Sequence, residues 1–349
     1  MRLLEKTLIE VKDLDENAMQ KTRKRVDNLI KPIGSLGRLE EFVVQLAGVT
    51  GDIFPKVDNK SVIVMAADHG VWEEGVAEAK QEVTLLQTIN IAKHLTGVCA
   101  MSNVSRSDIV VVDIGVANDV ENENVVKRKI SYGTKNITKG PAMTREEAMR
   151  ALEVGIEIAK SEVGKGKNIL ATGEMGICNT TISSAIISAI TGIDPEEVTG
   201  IGGNLALHKL ENKVNVIRKA LEVNKPDKND PIDILSKVGG LEVAGMAGVM
   251  IGAAASRVPV VVDGFISTVS AIIACMLEPK VKGYLIPSHF SKEKAAKIAL
   301  DMVELRPVLD LDMRLGEGSG AVLMFNIIEA ATDMNRVMLT FGETGIAAV

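Results

Sequence analysis

SVIVMAADHG, residues 61–70, runs six apolar residues straight into Asp68, His69 and Gly70. Four further stretches share that design: DIVVVDIGV (108–116), NILATGEMGI (168–177), PVVVDGFIS (259–267) and KGYLIPSHFS (282–291). Each begins with β-branched or aliphatic residues and ends in glycine mixed with Asp, Glu, His or Ser. A strand with no polar alternation needs apolar cover on both faces, which is the situation of a parallel sheet. The intervening segments carry helical periodicity, as in EEAMRALEVGIEIAKSEV (146–163) and LHKLENKVNVIRKALEV (207–223). Strand alternating with helix predicts a parallel α/β sheet joined by crossovers. Ligands of such sheets bind beyond the carboxyl ends of the strands. Asp68, His69, Asp113, Glu174, Asp263, His289 and Ser291 are expected to gather there.

The flanks differ. Residues 16–50 read as helices broken by KPIGSLGRLEE, and residues 291–306 and 319–334 read as amphipathic helices. They are expected to pack together as a smaller helical lobe over the sheet edge.

Bulk properties narrow the function. The 349 residues suffice for one large domain or a large plus a small one. A net charge of −6 with no basic stripe, and only 3% aromatic residues, argue against nucleic acid as a partner. The N-terminus MRLLEKTLIEVKDLDENAM is too charged for a signal peptide, and no apolar run reaches about 18 residues. Three scattered cysteines predict a cytoplasmic chain without a disulfide framework. Four histidines with no HxH or HxxxH pair give no zinc pattern, and no GxSxG elbow is present. No metal and no cofactor are expected.

Two segments carry chemistry. GEMGICNTT (173–181) follows a strand and opens a helix, so its backbone N–H groups, Asn179 and its threonines suit an anion, most often phosphate. The same residues cap helices without any ligand, and both readings stay open. TGIGGNLALHKLENK (199–213) repeats the pattern and places Lys213 where its charge can return to a phosphate. In MRLGEGSGA (313–321), Glu317 stands between two glycines. That is either a solvated surface turn or a carboxylate that a ligand can approach closely. The residues alone reach a cytoplasmic α/β enzyme for a phosphorylated small molecule, or a non-catalytic nucleotide-binding or partner subunit.

The blocks KPIGSLGRLEE, ADHGVWEEGV, VVDIGV, GPAMT, GEMGICNTT, LSKVGG, GVMIGAA, PVVVDGF, YLIPSHFS and MRLGEGSGA, in this order, cover most of residues 30–325. Together they resemble the nicotinate-nucleotide–dimethylbenzimidazole phosphoribosyltransferase family. The resemblance implies a doubly wound parallel α/β domain over residues 31–289. Residues 1–30 and 290–349 would supply a smaller helical domain. It also implies a dimer, whether of two copies or with a paralogue. The implied reaction joins the phosphoribosyl group of nicotinate mononucleotide to a benzimidazole, with inversion at C1′ and loss of nicotinate. Glu317 would then accept the benzimidazole proton, and Glu174 would lie near the ribose. Gly176, Asn179, Thr180, Gly202 and Lys213 would hold the 5′-phosphate. Ala79, Gln87, Met175 and Leu315 would line the acceptor pocket.

Two positions depart from the family pattern. Ala79, within EGVAEAKQEVT, stands where the family typically has serine, and Cys178 replaces a glycine or alanine before NTT. Loss of a nitrogen-facing hydroxyl leaves open a phenolic acceptor such as p-cresol, joined through oxygen. The alternative of another class is an inactive partner of a catalytic paralogue.

Overall fold

The computed structural model describes residues 1–203 and 205–345. Strand β1, Lys60–Ala67, is buried along its whole length. Val62, Val64 and Ala66 enter one hydrophobic cluster while Ile63, Met65 and Ala67 enter another, so the strand is covered on both faces. That is why its sequence is continuously apolar from Val62 onward. The other strands are β2 (Ser107–Gly115), β3 (Val125–Lys127), β4 (Ile169–Met175), β5 (Val260–Val262) and β6 (Leu285–Pro287). They form one sheet in the order β3-β2-β1-β4-β5-β6. Every pairing is parallel. The chain is an α/β protein with a doubly wound sheet.

All five apolar runs form strands, with shorter bounds toward the C-terminus. Only Val260–Val262 of the fourth run is extended, because Gly264 starts the helix Phe265–Leu277. In the fifth, Lys282–Tyr284 closes a 3₁₀ turn, leaving Leu285–Pro287 as strand. The expected helix over 291–306 contracts to Ala296–Met302. Strand β3 has no counterpart among the sequence expectations; it spans three residues at the sheet edge, too few to show a pattern.

On one face, the helices Arg145–Gly164 and Leu241–Ala255 cross with their backbones nearly touching. A Cβ on Gly155 would overlap the Gly245 carbonyl oxygen, and one on Gly248 would overlap that of Leu152. Neither obstacle is a flexible side chain, so the helices themselves would have to separate. Gly155→Ala should therefore cost at least about 1–3 kcal/mol, as overpacked cores do. In urea the unfolding midpoint should fall with an unchanged slope.

The helix Ser319–Val337 covers the other face, where Phe325 and Ile328 join Phe42 and Leu46 of the helix Arg38–Thr50. The chain's two ends are tied by the Ile30 N–H to the Leu339 carbonyl (3.0 Å) and by Arg25 Nε to the Asn335 carbonyl (3.0 Å). The helix Leu3–Glu10 lies against the opposite face, its Leu4 joining the cluster beneath Arg145–Gly164. Residues 346–349 of the expected C-terminal helical segment, and Asn204 of the second glycine cluster, lie outside the described residues. Among the described residues, no helix is long and apolar enough to cross a membrane.

Candidate active site

From β1 the chain progresses outward through β2 and β3, then returns so that β4 flanks β1 on its other side. This reversal opens a crevice at the carboxyl ends of β1 and β4, where open α/β sheets bind their ligands. A cavity of about 300 Å³ occupies it. All eleven residues nominated from the sequence line that cavity: Glu317, Glu174, Gly176, Asn179, Thr180, Gly202, Lys213, Ala79, Gln87, Met175 and Leu315. Of the seven polar residues expected at the strand ends, Glu174, Asp263, His289 and Ser291 line it too. Asp68, His69 and Asp113 do not. Asp68 accepts the Ala117 N–H (2.8 Å), Asp113 pairs with Lys129 (3.0 Å), and His69 is buried against Glu242 (3.2 Å).

Glu317 sits on a turn of three successive left-handed residues, with φ of 87° at Gly316, 63° at Glu317 and 90° at Gly318. A residue bearing a Cβ seldom adopts that conformation. Here it folds the carboxylate back into the protein, leaving Glu317 only 3% exposed. The surface-turn reading therefore fails. Glu317 Oε1 accepts from Gln87 Nε2 (2.8 Å), and Oε2 faces the Val98 N–H (3.4 Å) at the start of the helix Gly97–Ser105.

Glu174, at the end of β4, lies directly above Gly316, where any Cβ would overlap its Oε1. The Asn179 side-chain amide donates to its other oxygen. Burial pushes the Glu174 carboxyl well above the usual range, and the nearby Glu242, Asp263 and Glu317 push it further. Burial thus favours the neutral form of Glu174, while the oxygens of Glu317 are met by two donors.

Lys213 projects from the helix Leu207–Asn224 and is 1% exposed. Its Nζ donates to Thr180 Oγ1 (2.9 Å) and to the Gly200 carbonyl (3.1 Å). No carboxylate lies within 4 Å of it among the described residues. Burial pulls its pKa down to about 8, with Glu293 opposing more weakly. A buried cation held only by neutral oxygens is ready for an anion. Gly202 (φ 53°) passes beside both Thr180 Oγ1 and Lys213 Nζ, so the second glycine loop closes over the first. Cys178 caps the helix Asn179–Thr191 at φ 78°, and burial raises its thiol to about 12, which leaves it unreactive.

Ala79 and Met175 contribute apolar wall, while Leu315 is 58% exposed and forms a lip. The Ala79 loop is fixed by Trp72 Nε1 donating to the Ala79 carbonyl (3.0 Å).

A family model described as phosphoribosyltransferase matches residues 11–346. A protein of Alkaliphilus metalliredigens named nicotinate-nucleotide–dimethylbenzimidazole phosphoribosyltransferase is 56% identical over 347 residues, 99% of each chain. One of the same name from Clostridioides difficile is 50% identical, covering 98% of this chain and 99% of that one. The chain belongs to the nicotinate-nucleotide–dimethylbenzimidazole phosphoribosyltransferase family. A crystal structure carrying that name, from Thermus thermophilus, superposes with a TM-score of 0.91 at 36% identity, over 96% of this chain and all of that one.

Within this phosphoribosyltransferase fold, Asp263, Glu293 and Arg314 also line the cavity, and no sequence motif assigned them a role. Arg314 lies three residues before Glu317, so its proximity was readable but its purpose was not. Glu293 and Asp263 reach the site only through the sheet order. If Glu174 is a buried neutral acid, Glu174→Gln should raise the melting temperature by on the order of a few degrees. The sign follows from proton counting. Above the carboxyl's unfolded pKa, the folded wild type holds a proton that the unfolded chain lacks, so its stability falls as pH rises. Glutamine lacks that dependence. The gain should widen with pH until Glu174 itself ionises, which thermal melts across pH 5–8 would read.

Proposed function

We propose that this protein transfers the phosphoribosyl group of nicotinate mononucleotide to a ring nitrogen of 5,6-dimethylbenzimidazole. The products are nicotinate and an α-ribazole phosphate. The observation that carries this reading is that Lys213, a buried cation without an anion, shares one cavity with Glu317, a buried carboxylate aimed by two donors. A phosphate and an acidic ring N–H are what those two groups lack.

The 5′-phosphate binds at Lys213, Thr180 and the glycine loops around Gly176 and Gly202, at the start of the helix Asn179–Thr191, where free N–H groups favour an anion. C1′ then lies near Glu174, whose carboxyl, when protonated, donates to a ribose hydroxyl. The unprotonated benzimidazole nitrogen attacks C1′ from the face opposite the pyridinium. The C1′–N bond to that ring breaks, and its electron pair returns to the pyridine nitrogen. Nicotinate therefore leaves without needing a proton. The new benzimidazolium loses its remaining N–H proton to Glu317. Catalysis consists of alignment, which is worth several kcal/mol, and of proton removal, worth about 10²–10⁴ in rate. Ala79, Met175, Gln87 and Leu315 supply the acceptor wall.

Cytoplasmic residence is part of the same proposal, supported by three free cysteines. So is a dimer, of two copies or with a paralogue, which light scattering would size. The deciding assay is nicotinate release from nicotinate mononucleotide, run in parallel with 5,6-dimethylbenzimidazole and with p-cresol. Turnover with the benzimidazole is expected. Turnover with p-cresol alone would replace the acceptor class, and silence with both would overturn the reading.

A further inference from the structure

We propose that Asp263 is a positioning residue for Glu317, acting through the backbone at the start of the helix Ser319–Val337 rather than on the substrate. This rests on the reading of Glu317 as the proton acceptor.

Asp263 follows β5 and is 5% exposed. Its Oδ1 accepts the N–H groups of Gly320 (2.8 Å) and Ala321 (3.0 Å), and its Oδ2 accepts that of Gly318 (3.2 Å). The N-cap residue of this helix is Gly318, which has no side chain to satisfy those orphan donors. A carboxylate 55 residues earlier in sequence does so instead. Its carboxyl oxygens also meet the positive end of a 19-residue helix; burial raises the Asp263 pKa, and His289 and the Ala321 and Gly320 N–H groups pull it back. Asp263 is in turn fixed: its N–H donates to Ser267 Oγ (3.2 Å), and its carbonyl accepts from Ser288 Oγ (2.9 Å).

The position of this clamp gives it a role beyond capping. Gly318 is both a clamped residue and the last of the left-handed turn that presents Glu317. The turn has little room to relax in other directions. A Cβ on Gly173 would overlap the Glu317 carbonyl oxygen, and one on Gly320 would overlap the His289 ring. Backbone direction is therefore set by Asp263, and the carboxylate tip by Gln87 and the Val98 N–H. Without the Gly318 tie, Glu317 can leave left-handed φ and carry its carboxylate away from the acceptor.

Asp263→Asn tests this. The asparagine Oδ1 still accepts from Gly320 and Ala321, but its amide nitrogen meets the Gly318 N–H donor to donor. Steady-state nicotinate release should show kcat lowered about 10- to 100-fold, as small misplacements do. KM for nicotinate mononucleotide should stay within about twofold. In a Glu317→Gln background, Asp263→Asn should cost nothing further, because the two act as one unit. A rise in KM with kcat unchanged would make Asp263 a ribose contact and overturn the inference. So would an equal loss of kcat in the Glu317→Gln background. Should Asp263→Asn fail to fold, Gly318→Ala strains the same turn with Asp263 intact, and wild-type kcat in that variant would also overturn it. Silence of the unchanged protein with nicotinate mononucleotide and 5,6-dimethylbenzimidazole would remove the proposed function, and this inference with it.

Discussion

Glu317→Gln should release nicotinate from nicotinate mononucleotide about 10²–10⁴-fold more slowly than the unchanged protein, with 5,6-dimethylbenzimidazole as acceptor. Glutamine matches the shape of the side chain and keeps an oxygen for the Gln87 amide, whose donation to Glu317 Oε1 spans 2.8 Å. It adopts left-handed φ as readily as glutamate does, so the turn at 316–318 should persist. What it lacks is a site for the proton, and its amide nitrogen faces the Val98 N–H in place of an oxygen, a contact of only 3.4 Å in the wild type. KM for nicotinate mononucleotide should stay within about twofold, because the nucleotide's phosphate and ribose contacts lie on other residues. A thermal melt close to that of the wild type would establish that the fold survives. Near-wild-type kcat in a folded Glu317→Gln protein would remove Glu317 from the chemistry and leave alignment as the whole of catalysis. The aligned site would still retain part of its rate advantage in this variant, since holding two reactants in register does not depend on the base.

The sheet was legible because its physical demand is simple. Strands buried on both faces must be apolar throughout, and Val62 to Ala67 state that in six letters. Strand β3 makes no such demand: it is an edge strand in which only Val125 is buried. Glycine-rich starts of helices were legible for the same kind of reason, since orphan N–H groups require small neighbours and capping side chains. The ambiguous residue was Glu317. Two glycines around an acid fit a solvated turn as well as a catalytic one, and only the resemblance to a family separated them in the sequence. The structure excludes the solvated turn, by burying the carboxylate against Gln87 and the Val98 N–H. Asp263 illustrates what a sequence conceals. It read as one more polar residue at a strand end, and its partners lie 55 to 58 residues away across a helix start. No local period or motif encodes that contact, because it arises from sheet order. The expectation for His69 failed in the opposite sense: its place beside β1 was right, but Glu242 of a later helix captured it below the cavity.

Lys213→Met should leave a folded protein that responds far more weakly to nicotinate mononucleotide and to inorganic phosphate. A hydrogen bond to a charged group contributes about 1.5–3 kcal/mol. Losing one should therefore raise KM for the nucleotide about 10- to 150-fold. Two features of Lys213 make the variant more informative than a simple loss of affinity. Its ammonium is buried with only Thr180 Oγ1 and the Gly200 carbonyl as partners, and its pKa is pulled down to about 8. Below that pH the lysine is charged in both the folded and unfolded chain, and the full cost of burying the charge is present. Between about pH 8 and 10.5 the unfolded chain holds a proton that the folded one has lost, so wild-type stability gains with pH. Methionine abolishes this term. Without ligand, the variant should melt at or above the wild-type temperature at pH 7, and its advantage should shrink as pH climbs toward 10. The stabilisation that phosphate gives the wild type, which grows with ligand concentration over Kd, should need about 10- to 150-fold more phosphate. The wild type carries the matching signature in its kinetics. A phosphate needs the charged lysine, so KM for nicotinate mononucleotide should be flat below about pH 8 and rise up to about tenfold per unit above it. A variant that melts well below the wild type, with an intact response to phosphate, would make Lys213 a structural lysine. The anion site would then rest on the glycine loops and the helix start around Thr180.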